Sequence, residues 1–437
     1  MGLTILDSLD NLIIFGLKDE FEEAKNWVAN DLSFDQNIDY VNLFECTIRV
    51  LGGLLSAHTL SAEPVFLDKA KDIGGRLLNA WSQSKSKVPL SDINPYTQRS
   101  RPPKWSSDSS TSEVTTVQLE FRELAMLAKD PKFTIPARQT SRHVHELVNQ
   151  QSENHFVQMM INPHSGKMGS RGTITFGART DSYYEYLLKQ WIQGNGDERD
   201  DWLLEDYLQA MEDLKKHLIK TTNGKEKLTF VAELAGGSRV HPKMDHLVCF
   251  LPGTLALGHY FVQQNSMSTR HVIPDWHLEL AEELARTCFY FYKSFQTGLP
   301  PEIVYFDLEN NSKKEIYVKP LDAFSILRPE SVESWFYLYR ITKNPIYRTY
   351  GQHYLTGLQN YAKVENNKGY ASIDNVDSVS TRKRDKMESF FMAETLKYLY
   401  LLFSDDEQLL PIDKFVFNTE AHPLLIRTNN NDIMFEE

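Results

Sequence analysis

Acidic residues stand at the openings of several helical segments, often beside an arginine or an aromatic. Glu45 follows Asn42 by three residues, with Arg49 one turn further on the same face. Asp181 and Glu185 are four apart, Arg328, Pro329, Glu330 and Glu333 form another group, and Glu388 and Glu394 flank Phe390-Phe391. Taken singly, such acids serve as N-terminal caps or complements to the helix dipole. Taken together they could hydrolyse a glycosidic bond. Inversion needs one protonated carboxyl at the leaving oxygen and one carboxylate, roughly 6.5–9.5 Å away, to activate water. Neighbouring carboxylates drive a proton onto one member, while arginines such as Arg49 and Arg328 keep others ionised. Spacing alone does not make these acids converge.

Near the C-terminus stands Val416-Phe417-Asn418-Thr419-Glu420-Ala421-His422-Pro423, which reads as an irregular segment closing the domain. Thr419 offers a backbone carbonyl and a hydroxyl next to Glu420. Both are hard oxygen donors of the kind calcium prefers, but calcium takes six to eight ligands, so most would be water or sugar hydroxyls. No EF-hand loop or His-x-x-x-His pair is present, nor a dinucleotide fingerprint, phosphate loop or nucleophile elbow. His246, beside Asp245, reads on its own as a satisfied helix histidine.

The elements that must position these residues are mostly helices. Apolar residues recur three and four apart over 20–30, 40–60, 64–82, 113–129, 181–193, 199–218, 275–295, 330–342, 346–362 and 384–403. The stretch 2–16 also reads as a buried helix. Ser182-x-x-Glu185 looks like a capping box, and Pro329 suits a first helical turn. Strand-like runs are short: Leu228–Val231, Glu302–Phe306 and Ile316–Val318. No loop is long or biased enough to be a linker, and no fixed repeat period appears. The expectation is one all-α domain over 1–437, built of helical hairpins around a shared axis.

Composition bounds the partners. The chain has 437 residues and a net charge of −12, which argues against nucleic acid and suits a neutral ligand or a cation. With 24 Phe, 20 Tyr and 7 Trp there are flat faces on which sugar rings could pack, though most must be core. The 2–16 stretch carries Asp7 and Asp10 without a basic flank, so it is neither leader nor membrane span. Three cysteines, Cys46, Cys249 and Cys288, are too few for a disulfide scaffold. One sequon, Asn310-Asn311-Ser312, is weakly indicative of a secretory route.

Read in order, several of these stretches resemble glycoside hydrolase family 47, the class I α-1,2-mannosidases. They are Leu43-Phe44-Glu45-Cys46-Thr47-Ile48-Arg49 with Gly52-Gly53, Val117-Gln118-Leu119-Glu120-Phe121, and Asp181-Ser182-Tyr183-Tyr184-Glu185-Tyr186. So do Lys243-Met244-Asp245-His246-Leu247-Val248-Cys249-Phe250, Leu327-Arg328-Pro329-Glu330, Glu388-Ser389-Phe390-Phe391 and Phe417-Asn418-Thr419-Glu420-Ala421-His422-Pro423. The resemblance runs from about residue 2 to 427.

It implies an (αα)7 barrel with a small β-hairpin plug and an acidic pocket. It also implies an inverting, Ca2+-dependent enzyme that trims high-mannose N-glycans. Glu45 matches the general acid, Glu330 the base and Asp181 a third essential carboxylate. Thr419 matches the one protein ligand to Ca2+, with Glu333, Glu394 and Glu420 holding its waters. Arg49, Glu120, Glu185, His246, Arg328 and Phe390 match substrate-contacting positions, Phe390 beneath the mannose ring. Cys249 and Cys288 match the family disulfide, leaving Cys46 free. Arg179 matches the endoplasmic-reticulum type, for which one mannose of the middle branch of Man9GlcNAc2 is removed in that lumen. The family pattern has an earlier segment with a first helix, and its membrane anchor, before the part matching Gly2-Leu3-Thr4; both are expected to be missing from this chain. The alternative is a non-catalytic glycan-binding relative that assists glycoprotein degradation.

Overall fold

The computed structural model describes residues 1–36, 39–169, 172–264, 267, 270–309, 314–365 and 368–427. The sequon at Asn310 lies outside them. Packing divides the chain into two units, each described by itself: Met1–Gly172, Ser182–Ala210 and the segment from Gln408 onward, and then Thr173–Asp181 with Met211–Glu407.

In the first unit, the helix Leu3–Ile14 buries Leu6, Leu9 and Ile14, and with them Asp7 and Asp10. It packs on the helix Gly52–Ser61. That approach depends on glycine: a Cβ at Gly53 would lie 2.3 Å from the Leu6 carbonyl oxygen, and one at Gly52 would lie 2.7 Å from the Asn418 side-chain nitrogen. Ahead of Gly52 run a short helical turn, Leu43–Glu45, and a wide π-helical turn, Cys46–Leu51. Asn42 caps the first of these by accepting the Glu45 N–H at 3.0 Å, as the three-residue spacing anticipates. Pro64–Leu77, Gln118–Ala128 and Ile135–Asn149 follow. The last of these lies outside the helical stretches expected; its buried face, Ala137, Thr140, Ser141, Val144 and Val148, keeps helical spacing but is partly polar.

The C-terminal segment differs from the irregular closure expected. Phe415–Phe417 pairs antiparallel with Pro423–Leu425, Val416 facing Leu424, so residues 418–422 form the tip of a β-hairpin. Ser182 also departs from its expected capping role. The helix Asp181–Gln193 begins one residue earlier, and Ser182 meets the Thr116 hydroxyl at 2.8 Å.

In the second unit, helices Leu251–His259, Trp276–Lys293 and Glu330–Thr342 pack on one another around buried Trp335 and Tyr337. The third coincides with the span expected. Cys249 and Cys288 form a disulfide, and Cys46 of the first unit is a buried free thiol. A three-stranded antiparallel sheet joins Lys243–Asp245, Ile303–Phe306 and Ile316–Tyr317, with Asp245 opposite Ile303. The expected helix over 384–403 starts later, its first residues being drawn into a loop where Arg384 pairs with Asp374 at 2.6 Å. Phe391–Leu396 is a second wide turn, continuing as the helix Lys397–Phe403. All the sheets have two or three strands, so the class is all-α in substance.

Candidate active site

In the first unit, the π turn aims Arg49 at three carboxylates. Its Nε donates to Glu45 Oε2 at 2.7 Å and its Nη1 to Asp7 Oδ2 at 3.4 Å, while Nη1 also meets Glu420 Oε1. Burial alone would lower the Arg49 pKa, but Glu420, Glu45 and Asp7 outweigh it and raise it. The guanidinium is therefore a fixed charge. Of its partners Glu420 is buried, whereas the Glu45 side chain is 50% exposed and can meet a ligand.

The hairpin tip is held by side chains from two helices and a backbone carbonyl of the π turn. Asn418 donates to Glu120 Oε1 at 2.7 Å and to the Ile48 carbonyl at 3.0 Å. Its own Oδ1 accepts the Glu420 N–H at 2.9 Å and the His422 N–H at 2.8 Å. The Thr419 N–H donates to the Tyr186 hydroxyl oxygen at 3.2 Å, and Tyr186 in turn donates to Glu120 at 2.7 Å. The Thr419 hydroxyl donates to Glu185 Oε2 at 2.9 Å, and Lys189 neutralises Glu185 from 2.5 Å. Glu120 is wholly buried, which pushes its pKa up to about 7 despite the bonds from Tyr186 and Asn418. It thus supports the tip from beneath and exposes no surface of its own.

In the second unit, strand pairing sets His246 next to Glu302: the His246 N–H donates to the Glu302 carbonyl at 2.9 Å. His246 Nδ1 lies 2.8 Å from Glu330 Oε2, and its Nε2 meets the hydroxyls of Tyr292 and Ser331 at 2.9 and 3.0 Å. Arg328 pairs with Glu302 at 2.8 Å and approaches Glu330 at 3.9 Å. Burial would raise the Glu330 carboxyl, yet the His246 hydrogen bond and the His246 and Arg328 charges hold it below its ordinary value. The Arg328 guanidinium also stands 5.8 Å from the centre of the Phe390 ring. Glu333, one turn along from Glu330, and Glu394, in the second wide turn, are both buried.

Asp181 opens its helix, and its charge contributes to the field at Arg328. The turn before it is tied down by Thr175, whose hydroxyl donates to Glu233 at 2.8 Å. Arg179 is half-buried there with φ 81°. Leu327, three residues before Glu330, has φ 64°, and Ala421, one after Glu420, has φ 59°. Left-handed backbone at non-glycine residues costs about 1–3 kcal/mol each and gathers at functional sites. Here three of the ten such residues among those described flank the acids singled out above.

The structure thus brings Glu45, Arg49 and Glu420 together, and separately Thr419, Glu185 and Glu120, in the first unit. In the second it joins His246, Arg328, Glu330 and Phe390. Sequence reasoning overlooked Asp7, Asp10, His422, Asn418, Tyr186 and Glu302. The acids of the first helix were the available signal, since two carboxylates on a strongly apolar helix call for buried partners.

A calcium site at the hairpin tip fits the donors present. Thr419 supplies two neutral hard oxygens, with the Glu185 carboxyl hydrogen-bonded to its hydroxyl and Glu420 next to it in the chain. Among the described residues, no group of three or more His, Cys, Asp or Glu forms a metal-holding cluster. An ion there would rely on water and ligand hydroxyls for most of its shell.

Comparison with known proteins gives the class first. The fold matches that of the α-1,2-mannosidase from Trichoderma reesei with a TM-score of 0.86, at 24% identity, over 98% of this chain and 90% of that one. A cellobiose 2-epimerase from Spirochaeta thermophila shares the architecture more distantly, with a TM-score of 0.57 at 9% identity over 90% of this chain and 97% of its own. These carry the fold alone, the α–α barrel class expected from the sequence. The family model for glycosyl hydrolase family 47 matches residues 1–426, and the chain belongs to that family. It is 51% identical over 430 residues to the human endoplasmic reticulum mannosyl-oligosaccharide 1,2-alpha-mannosidase, covering 98% of this chain and 59% of that protein. To the Arabidopsis thaliana mannosyl-oligosaccharide 1,2-alpha-mannosidase MNS3 it is 42% identical, over 98% and 73%. The chain spans about three-fifths of the length of the mammalian relatives it matches.

Proposed function

We propose that this chain is an inverting α-1,2-mannosidase that removes terminal α-1,2-linked mannose from high-mannose N-glycans, with Ca2+, in the lumen of the endoplasmic reticulum. The observation that carries the reading is the environment of Glu330. A carboxylate kept ionised by a histidine donor and an arginine is suited to take a proton from water. The names of the relatives and the family membership support the substrate, and the Cys249–Cys288 disulfide suits an oxidising lumen. Among the described residues no helix is long and apolar enough to cross a membrane.

In this reading Glu330 accepts a proton from the attacking water. Glu45, half in solvent, accepts from Arg49 through Oε2 and, in its protonated form, delivers the proton on its other oxygen to the departing glycosidic oxygen. One water is consumed, the bond from the anomeric carbon to oxygen breaks, and mannose leaves with inverted configuration. Asp181 is the third carboxylate of the set, and Phe390 offers an aromatic face to the ring. Thr419 would hold Ca2+, with the neighbouring Glu420 holding its waters. Bound there, the ion would ligate vicinal hydroxyls of the terminal mannose and orient the ring. Arg179 selects the branch, because a guanidinium fixed in a strained turn can donate several bonds to one arm.

Incubating the protein with Man9GlcNAc2 and calcium, with and without chelator, tests this. Loss of a single mannose by mass, appearing first as the β-anomer by proton NMR and abolished by chelator, is the expected result. Glycan binding with no mannose released would instead favour a non-catalytic relative.

A further inference from the structure

Three buried groups in the first unit take no part in the reaction just described. Asp7 and Asp10, one turn apart on the helix Leu3–Ile14, and His422, at the end of the hairpin tip, are all 0% exposed. His422 Nδ1 lies 2.9 Å from Asp10 Oδ2, and its Nε2 lies 3.2 Å from Asp7 Oδ1. Asp10 Oδ2 also accepts from the Ser56 hydroxyl at 2.9 Å. Asp7 turns its other oxygen to Arg49.

Both ring nitrogens therefore face carboxylate oxygens. A neutral imidazole has only one N–H, so the second nitrogen would set lone pair against lone pair. Asp7 faces a guanidinium, which can only donate, so Asp7 is ionised and needs a donor from His422 as well. The imidazolium satisfies both sides. Charges then alternate along one buried line, Asp10, His422, Asp7, Arg49 and Glu420, with the half-exposed Glu45 held by Arg49 at its end.

We infer that the Asp10–His422–Asp7 ladder is a positioning device that fixes the aim of Arg49, and through it the carboxyl of Glu45. The physical reason is competition. Arg49 serves three carboxylates, and a buried Asp7 without His422 would be an uncompensated charge drawing the guanidinium inward, away from Glu45. With His422 in place Asp7 is already neutralised, and the Nε of Arg49 stays at 2.7 Å from Glu45. The same histidine fixes the hairpin tip through its N–H bond to Asn418, so one residue orders both the guanidinium and the Thr419–Glu420 loop. The inference rests on reading Glu45 as the proton donor, and its test separates the two.

The first readout needs no substrate. In 15N-labelled protein, the ladder requires both ring nitrogens of His422 to be protonated at neutral pH, and the Arg49 Nε–H to be protected from exchange. His422→Gln and Asp10→Asn should accelerate that exchange at least ~10-fold. A neutral His422, or an unchanged Arg49 Nε–H in both variants, would overturn the ladder whether or not the chain is a mannosidase. The second readout is kinetic. Either variant should lower kcat about 10- to 100-fold with KM within about twofold, as expected of a misaimed group. In an Arg49→Lys background the further loss should vanish, because the ladder acts through that residue. Losses that multiply with Arg49→Lys would show a merely structural role and sink the proposal. If His422→Gln does not melt cooperatively, the near-isosteric Asp10→Asn carries both readouts. Wild-type protein inactive on Man9GlcNAc2 would defeat the functional reading and leave the NMR arm to decide the ladder.

Discussion

His246 Nδ1 stands 2.8 Å from Glu330 Oε2, with Tyr292 and Ser331 hydroxyls on the opposite nitrogen. The pair sets the acid side of the pH profile. A carboxyl whose folded pKa is depressed stays ionised as pH falls below its ordinary value, and is lost only on passing the depressed one. Removing the donor should return Glu330 toward the value that burial favours. His246→Gln is therefore expected to move the acidic limb of kcat/KM to higher pH, and a limb that does not move would refute the assignment.

Glu120 carries the opposite sign. Burial raises its pKa from 4.5 to about 7, so the folded state binds more protons than the unfolded one between those values. Its contribution to stability is full below about 4.5 and falls as pH rises toward 7. Glu120→Gln keeps an oxygen acceptor for Tyr186 and Asn418 but cannot ionise. Relative to wild type, the variant should gain stability between pH 5 and 8, by an amount on the order of 3 kcal/mol at most. Calorimetric melts across that range would measure it; a difference independent of pH would exclude a titrating Glu120.

Two glycines should respond in opposite directions to the same methyl group. At Gly53 an added Cβ meets the Leu6 backbone at 2.3 Å, which cannot swing aside, and the helix bearing Asp7 and Asp10 must shift. Gly53→Ala should cost about 1–3 kcal/mol and depress activity with it. At Gly75, within the helix Pro64–Leu77, nothing lies within 4 Å, so Gly75→Ala should stabilise by ~0.5–1 kcal/mol. Paired thermal melts decide.

The thiols give a redox prediction. Burial pushes the Cys46 thiol up to about 12, so it should resist alkylation at pH 8 until the protein unfolds. Cys249→Ser opens a link spanning 39 residues, expected to cost ~4 kcal/mol by chain entropy. Rapid native labelling of Cys46, or an unchanged Tm in Cys249→Ser, would contradict these.

Arg179 is the selectivity test. Arg179→Leu should leave the first mannose removal possible but yield several Man8 isomers and further trimming, resolved by chromatography of the released glycans. One unchanged product would remove Arg179 from the specificity argument.

How much of this could be read from the sequence depended on how local each cause was. The Asn42 cap of Glu45 and the Glu330–Thr342 helix were legible because spacing over a few residues fixes them. The helix Ile135–Asn149 escaped although its buried residues 137, 140, 141, 144 and 148 keep helical spacing, because two of those five are hydroxyl residues that blur the apolar face. The C-terminal hairpin was read as irregular, since three-residue strands and an Asn-Thr-Glu-Ala-His tip lack the usual two-residue turn signal. Asp7 and Asp10 were noted only as reasons against a leader. Their partner is 415 residues downstream of Asp7, and no local pattern records such a contact.

That distance has a bearing on synthesis. The helix Leu3–Ile14 leaves the ribosome with two acids it cannot yet satisfy, because the histidine that faces Asp7 is made 415 residues later. If the Asp10–His422–Asp7 ladder sets the aim of Arg49, that aim is complete only once the loop after Asn418 has closed on the first helix. A chain that stopped short of His422 would keep most of its helices and still lack the ionic closure of its first unit, making it a natural client for cellular quality control.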